Sequence, residues 1–321
     1  MIAKPLIILS LICNLIGFNM SAAKTDQKLA DYSARENSVA VSASDTTLKI
    51  PAILDLPTIK IGSKSPSILT KEYILVDGDK GTVFAKKNST THVPIASTTK
   101  IMSSIIALEN YQLSDVVTVS AKAPQQIPTV VNLRVGEKIT VSELLHCMLI
   151  QSGNDSAYAV GAFMDPSGSD SDYQPFVDKM NAKAKELGMT NTHYMDPAGL
   201  NDSGYSSATD LATITRYALQ NPTFRNIVDT QNYVATNTTK TIFHPLVNSN
   251  RLVTTYQYPG AIGVKTGFTD AASHCLVGAA TQNYRTLIAI ILGTYSNTAS
   301  ASADEARKLL DWGFTNVVWP S

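Results

Sequence analysis

The sequence predicts an α/β chain of the α+β kind, one antiparallel sheet flanked by helices with a helical insertion in its middle. Three observations point there. Apolar residues recur with strand spacing near residue 70 and again after residue 260, and with helical spacing in between. The 321 residues are 44% hydrophobic and 16% charged, enough for one large core. Because the last strands can bury their faces only by finding the first pair, both ends of the chain are expected in a single sheet.

Residues 1–23 carry Lys4, an apolar run from Pro5 to Phe18 and the small residues Ser21-Ala22-Ala23, the layout of a secretory signal that sends the protein to the extracytoplasmic side. That run of 14 residues falls below the roughly 17 a spanning helix needs, yet the uncharged interval Pro5–Ala23 reaches 19, so an uncleaved membrane anchor is the alternative. Residues 24–66 are rich in Ser, Thr, Asp, Lys and Ala without a sustained period, and read as a flexible linker, with order beginning near Ser67. Residues 67–321 form the expected folded domain.

Ile68–Val76 and Thr82–Ala85 read as strands around the turn-rich Asp77-Gly78-Asp79-Lys80-Gly81. From Ser97 the pattern becomes helical, with Ile101, Met102, Ile105, Ile106 and Leu108 on one stripe. Thr140 opens a second helix, with Glu143 three residues on as a capping box, and the helix stops at Ser152-Gly153-Asn154. Phe176, Val177, Met180, Ala184 and Leu187 mark a third, closed by Gly188; a fourth follows Ser207 and ends before Pro222. Ala261–Val264, His274–Thr281 and Thr286–Thr294 then read as strands, and Ser302–Phe314 as a last helix. Cys147 falls in an apolar helix and Cys275 in an apolar strand, so two separate buried thiols are expected.

Balanced charge, 26 Lys+Arg against 26 Asp+Glu, argues against a nucleic-acid partner. No G-x-G-x-x-G or P-loop is present and the five histidines lack metal-ligand spacing, so neither a cofactor nor a metal is expected. Three short motifs carry more. In Ser97-Thr98-Thr99-Lys100, a hydroxyl and an amine three residues apart share a helix face, and a desolvated lysine can take the serine proton. Alone the motif is weak, since Ser21-Ala22-Ala23-Lys24 repeats it in the signal. Ser152-Gly153-Asn154 sits at a break between helices, and Lys265-Thr266-Gly267 on a strand offers a cation and a hydroxyl to an anion. Together and in this order the three form the set of active-site-serine penicillin-recognising enzymes.

Over residues 68–315 the chain resembles the D-alanyl-D-alanine carboxypeptidases, low-molecular-mass penicillin-binding proteins of the serine DD-peptidase family. The resemblance rests on Pro94–Met102, Leu149–Asp155, Met180-Asn181, Leu187-Gly188-Met189, Asp196-Pro197-Ala198-Gly199-Leu200, Asn248–Leu252 and Gly263–Thr269. It implies the penicillin-binding, β-lactamase-like transpeptidase fold. It further implies Ser97 as the acyl-forming nucleophile, Lys100 as its proton acceptor, and Ser152 and Asn154 as proton-relay and substrate-amide contacts. Lys265 and Thr266 would bind the substrate carboxylate, Gly267 would allow close approach of an extended substrate to the strand edge, and the Ser97 and Phe268 N–H groups would form an oxyanion hole. The implied substrate is a peptidoglycan stem peptide ending in D-Ala-D-Ala, with β-lactam antibiotics as covalent inhibitors and a role in cell-wall synthesis and cell shape. Gly204 stands where many members carry His, and Ser273 where they carry Gly; a further C-terminal β-rich domain, common in the family, is not expected after Phe314. Two alternatives share the motifs. A β-lactamase needs an added glutamate, and only Glu186 lies between Ser152 and Lys265; a non-catalytic penicillin sensor would have no use for the complete set.

Overall fold

The computed structural model describes residues 56–165 and 173–320; the expected signal and most of the linker lie outside them. The first strand comes earlier than the sequence suggests. Strand β1 (Thr58–Ile59) pairs antiparallel with a terminal strand, Val317–Val318, and Lys60 N donates to Asn316 O at 2.9 Å, so ordered structure starts ahead of Ser67. The polar composition hid it, because the pairing uses backbone groups and a partner near the far end of the chain.

The hairpin β2 (Thr70–Asp77) and β3 (Val83–Lys87) is followed by a 3₁₀ turn at Ala96–Thr99 and helix α1 (Lys100–Asn110). A small sheet of β4 (Val116–Thr118) and β5 (Lys138–Thr140) leads into α2 (Val141–Ile150), α3 (Asn154–Ala162), α4 (Gln174–Glu186), α5 (Ala208–Leu219) and α6 (Pro222–Asp229). A hairpin, β6 (Asn232–Thr236) with β7 (Phe243–Val247), precedes β8 (Ala261–Thr269), β9 (Ser273–Gln282) and β10 (Arg285–Thr294). Helix α7 (Ala301–Asn316) and β11 (Val317–Val318) close the order.

The first and last strands of the main sheet in chain order do meet. The main sheet runs β3-β2-β10-β9-β8, antiparallel throughout, with Ile290 opposite Ile74 and Val277 opposite Ile290. Side chains alternate across it. Ile74, Val76, Ile288 and Ile290 face the cluster built by the helical insertion, whereas Tyr73, Leu75, Leu287 and Ala289 face Ala306, Leu309 and Leu310 of α7. A strand covered on both faces must be apolar at every position, which accounts for the unbroken Leu287–Leu292 run. Each such Leu or Ile contributes about 1.5–3 kcal/mol on burial.

Thr140 accepts from Glu143 N at 3.3 Å, half of the expected capping box. The other half is absent: the Glu143 carboxylate accepts instead from Tyr233 OH at 3.1 Å and Thr236 N at 3.2 Å, fastening β6 to α2. Ser207 caps α5 through Asp210 N. Pro222 does more than stop a helix, since Asn221 accepts from Thr223 N and Phe224 N and Pro222 begins α6, where a missing N–H costs nothing. Cys147 and Cys275 are separate, free and buried.

Candidate active site

The site lies where α1 begins, where α2 gives way to α3, and along β8. Ser97 occupies the 3₁₀ turn and Lys100 opens α1, so Lys100 Nζ reaches Ser97 Oγ at 2.7 Å. The amine has two other partners, Asn154 Oδ1 at 2.7 Å and Ala198 O at 2.9 Å. Ala198 O is a pure acceptor. The Asn154 amide is oriented by its own Nδ2, which donates to Ile127 O at 2.7 Å, so its oxygen must face Lys100. A neutral amine has two N–H donors and one lone pair. Those fit two acceptors and one hydroxyl, leaving the lone pair for the proton of Ser97.

Electrostatics favour that state. Lys100 is fully buried, and desolvation pulls its pKa down from 10.5 to about 7, against the opposing pull of Asp196 and Asp155. Lys265, on β8, is likewise buried; desolvation first and the mutual repulsion with Lys100 second push it well below the ordinary lysine value. Its Nζ donates to Thr266 O at 3.0 Å.

Ser152 and Asn154 flank the sharp turn between α2 and α3, Ser152 in the left-handed region at φ 71°. Thr266 Oγ1 lies 2.8 Å from Ser249 Oγ. Gly267 brings β8 against the start of α1: a Cβ there would stand 2.9 Å from Ile95 O and 3.2 Å from Ser97 N, so any side chain would force the strand away. A cleft of about 480 Å³ joins Ser97, Ser152, Asn154, Thr266, Gly267 and Phe268. Lys100 and Lys265 lie beneath its surface. All eight residues singled out from sequence therefore belong to one constellation.

Sequence reasoning assigned no role to several others. The Asp196–Leu200 segment supplies Ala198 O to Lys100, and the Asp196 carboxylate shapes it by accepting from the N–H groups of Ala198, Gly199, Leu200 and Asn201 at 2.6–3.0 Å. Gly199, at φ 79°, leaves no room for a Cβ, which would meet Ala96 O at 2.0 Å. Arg251, Ser249 and His274 also line the cleft, His274 with its ring 4.5 Å from that of Phe268. Asp196 and Arg251 stood inside the recurrent stretches quoted above, which was the available signal.

Comparison with known proteins settles the family. A family model described as D-alanyl-D-alanine carboxypeptidase matches residues 60–296. The chain belongs to the D-alanyl-D-alanine carboxypeptidase family. It is 37% identical over 252 residues to the D-alanyl-D-alanine carboxypeptidase DacF of Bacillus subtilis, covering 76% of this chain and 62% of that one. With the D-alanyl-D-alanine carboxypeptidase of Streptomyces sp. strain K15 it shares 34% identity over 293 residues, 85% of this chain and 98% of its relative. Among solved structures, the Streptomyces K15 DD-transpeptidase superposes with a TM-score of 0.73 at 33% identity, covering 79% of this chain and all of that one. The D-alanyl-D-alanine carboxypeptidase of Mycobacterium tuberculosis H37Rv gives 0.72 at 33% identity, with 82% and 100% covered. The fold is thus that of the DD-peptidases.

Proposed function

We propose that the protein is a serine DD-carboxypeptidase that removes the terminal D-alanine from peptidoglycan stem peptides on the extracytoplasmic side, and that β-lactams acylate it. The observation that carries the reading is the buried Lys100 amine, 2.7 Å from Ser97 Oγ and held in place by Asn154 Oδ1 and Ala198 O. Ser97 Oγ attacks the carbonyl of the penultimate D-Ala while Lys100 takes its proton. The Ser97 and Phe268 N–H groups stabilise the oxyanion. As the C–N bond breaks, the proton passes through Ser152 to the departing amine, and D-alanine leaves. Water then attacks the ester, the C–Oγ bond breaks, and Ser97 regains its hydrogen.

Lys265 and Thr266 face the substrate carboxylate. Without a ligand, the environment of Lys265 disfavours its charge; an incoming carboxylate supplies the missing counter-ion and holds the ammonium form. Gly267 keeps β8 close enough for the carbonyl to reach Ser97. In a β-lactam the broken amide belongs to a ring, so the leaving group stays attached and the acyl-enzyme persists.

A β-lactamase reading is disfavoured by Glu186, which ends α4, pairs with Lys183 at 2.9 Å and leaves 63% of its side chain exposed, outside the residues lining the cleft. The deciding experiment combines fluorescent-penicillin labelling with release of D-alanine from a pentapeptide ending in D-Ala-D-Ala. Wild type should do both and Ser97→Ala neither. Rapid release of hydrolysed penicillin by wild type would support the lactamase instead.

A further inference from the structure

A buried polar pair stands outside the chemistry described so far. His244 on β7 and Glu137 just before β5 are 4% and 5% exposed, with His244 Nε2 2.8 Å from Glu137 Oε1. The other ring nitrogen, Nδ1, lies 2.9 Å from Val131 O. A carbonyl oxygen only accepts, so Nδ1 carries a proton and donates it to Val131. Glu137 completes the arrangement by accepting from Arg134 N at 3.0 Å through its second oxygen. Apolar residues of similar size would fill this space at no desolvation cost. What they could not do is hold one backbone carbonyl in a fixed direction.

That carbonyl belongs to a segment with a particular position. Val131 N donates to both oxygens of Asp155 at 3.1 Å, and Leu133 N to one of them at 3.0 Å. Two residues earlier Thr129 O accepts from Asn154 N at 2.7 Å, and Ile127 O accepts from Asn154 Nδ2 at 2.7 Å. Pro128 and Thr129 line the cleft directly. Residues 127–133 are therefore clamped from one side by His244 and from the other by the start of α3, and the Ile127 carbonyl is the group that turns the Asn154 amide oxygen toward Lys100.

We propose that His244 is a positioning residue for acylation: its Nδ1 bond to Val131 O fixes segment 127–133 at the depth where Ile127 and Thr129 orient Asn154, and through it Lys100. Glu137 fixes the ring that makes this bond. The inference rests on the reading of Ser97, Lys100 and Asn154 given above, and extends it to a side chain that touches neither substrate nor nucleophile.

Two substitutions separate the ring's two contacts. In His244→Asn the amide nitrogen takes the place of Nδ1 and can still donate to Val131, but reaches no further. In His244→Gln the longer side chain can meet Glu137 and leaves Val131 O without its donor. Acylation by fluorescent penicillin, followed in the full chain well below the melting temperature, should stay within about threefold of wild type in the Asn variant and fall about tenfold or more in the Gln variant. Equal losses in the two, or losses that simply follow their melting temperatures, would overturn the proposal. In Glu137→Gln the amide can still meet the ring and so keeps the Val131 bond, and acylation should match wild type; a tenfold loss in that folded variant would show that the charge of the pair and not the Val131 bond matters, and would overturn the proposal. If a lone buried Glu137 prevents folding, the same contrast is read in the His244→Asn/Glu137→Gln and His244→Gln/Glu137→Gln doubles. Failure of wild type to label, or labelling of Ser97→Ala, would strike the active-site reading and not this one.

Discussion

Asn154 and Lys100 meet oxygen to nitrogen at 2.7 Å, and the opposite end of the same amide is held by a backbone carbonyl that admits no flip. Replacing Asn154 with Asp puts a carboxylate in that contact. The anion favours the ammonium form of Lys100, which then reaches its neutral, proton-accepting state only at higher pH. Acylation at pH 7 should fall about tenfold, and its rising limb should move by about one unit to the alkaline side. A pH series of penicillin acylation on wild type and Asn154→Asp checks this, and coincident limbs would refute it.

The pH dependence of wild type follows from the same amine. Burial brings Lys100 to about 7, and only its neutral form accepts a proton, so acylation should rise through about pH 7. Lys100→Arg should abolish it, because guanidinium stays protonated. Lys265→Arg keeps a cation and should weaken turnover only in part. A Lys100→Arg variant acylating like wild type would remove Lys100 from the role of base.

Stability should carry the same signature. Lys100 titrates near 7 when folded and near 10.5 when unfolded, so unfolding takes up a proton between those values and stability rises with pH across that window. Lys100→Met removes this share of the slope, measurable as the difference in urea midpoint between pH 7 and pH 10. An unchanged slope would mean that Lys100 is not the buried group at fault.

Gly267→Ala tests the approach of β8 to the nucleophile. Its Cβ would press on Ile95 O at 2.9 Å and Ser97 N at 3.2 Å. The strand must retreat by a few tenths of an ångström, which should lower acylation about tenfold while the protein stays folded. Full acylation with an unchanged melting temperature would show that the strand has slack.

Truncation separates linker from fold. A chain starting at residue 56 should melt like the whole one. A chain starting at Ser67 loses β1, the Ser63 Oγ contact to Asn316 at 2.9 Å and the Lys64 O acceptor of Trp312 Nε1 at 2.8 Å. It should keep its fold and activity but melt a few degrees lower. Identical melting curves would make residues 58–64 ornamental.

The parts of this fold legible in sequence were those written in side chains. Apolar periodicity placed α1, α2 and the β8–β10 strands, the three motifs supplied Ser97, Lys100, Ser152, Asn154, Lys265, Thr266 and Gly267, and the family resemblance added Phe268. The parts missed are written in the backbone. Ala198 O holds the Lys100 amine, yet any residue would supply the same carbonyl; only Asp196 and Gly199, which bend the chain there, leave a trace. Glu143 was read as a capping partner because the pattern fits, but Tyr233 and Thr236, ninety residues on, compete successfully for it. The β6–β7 hairpin escaped notice for a similar reason: it alternates buried His244 and Leu246 with outward Phe243, Pro245 and Val247, so its apolar content carries no period.

The pairing of Ile74 with Ile290 ties the start of the folded domain to its end. Ser97 follows the first hairpin, whereas the strand that carries Lys265 is secured through β9 to β10, which must travel back to β2 before the sheet closes. Loop closure over such a distance is slow and cooperative. A chain that stops short of β8 therefore carries Ser97 and Lys100 without Lys265 and without the closed sheet.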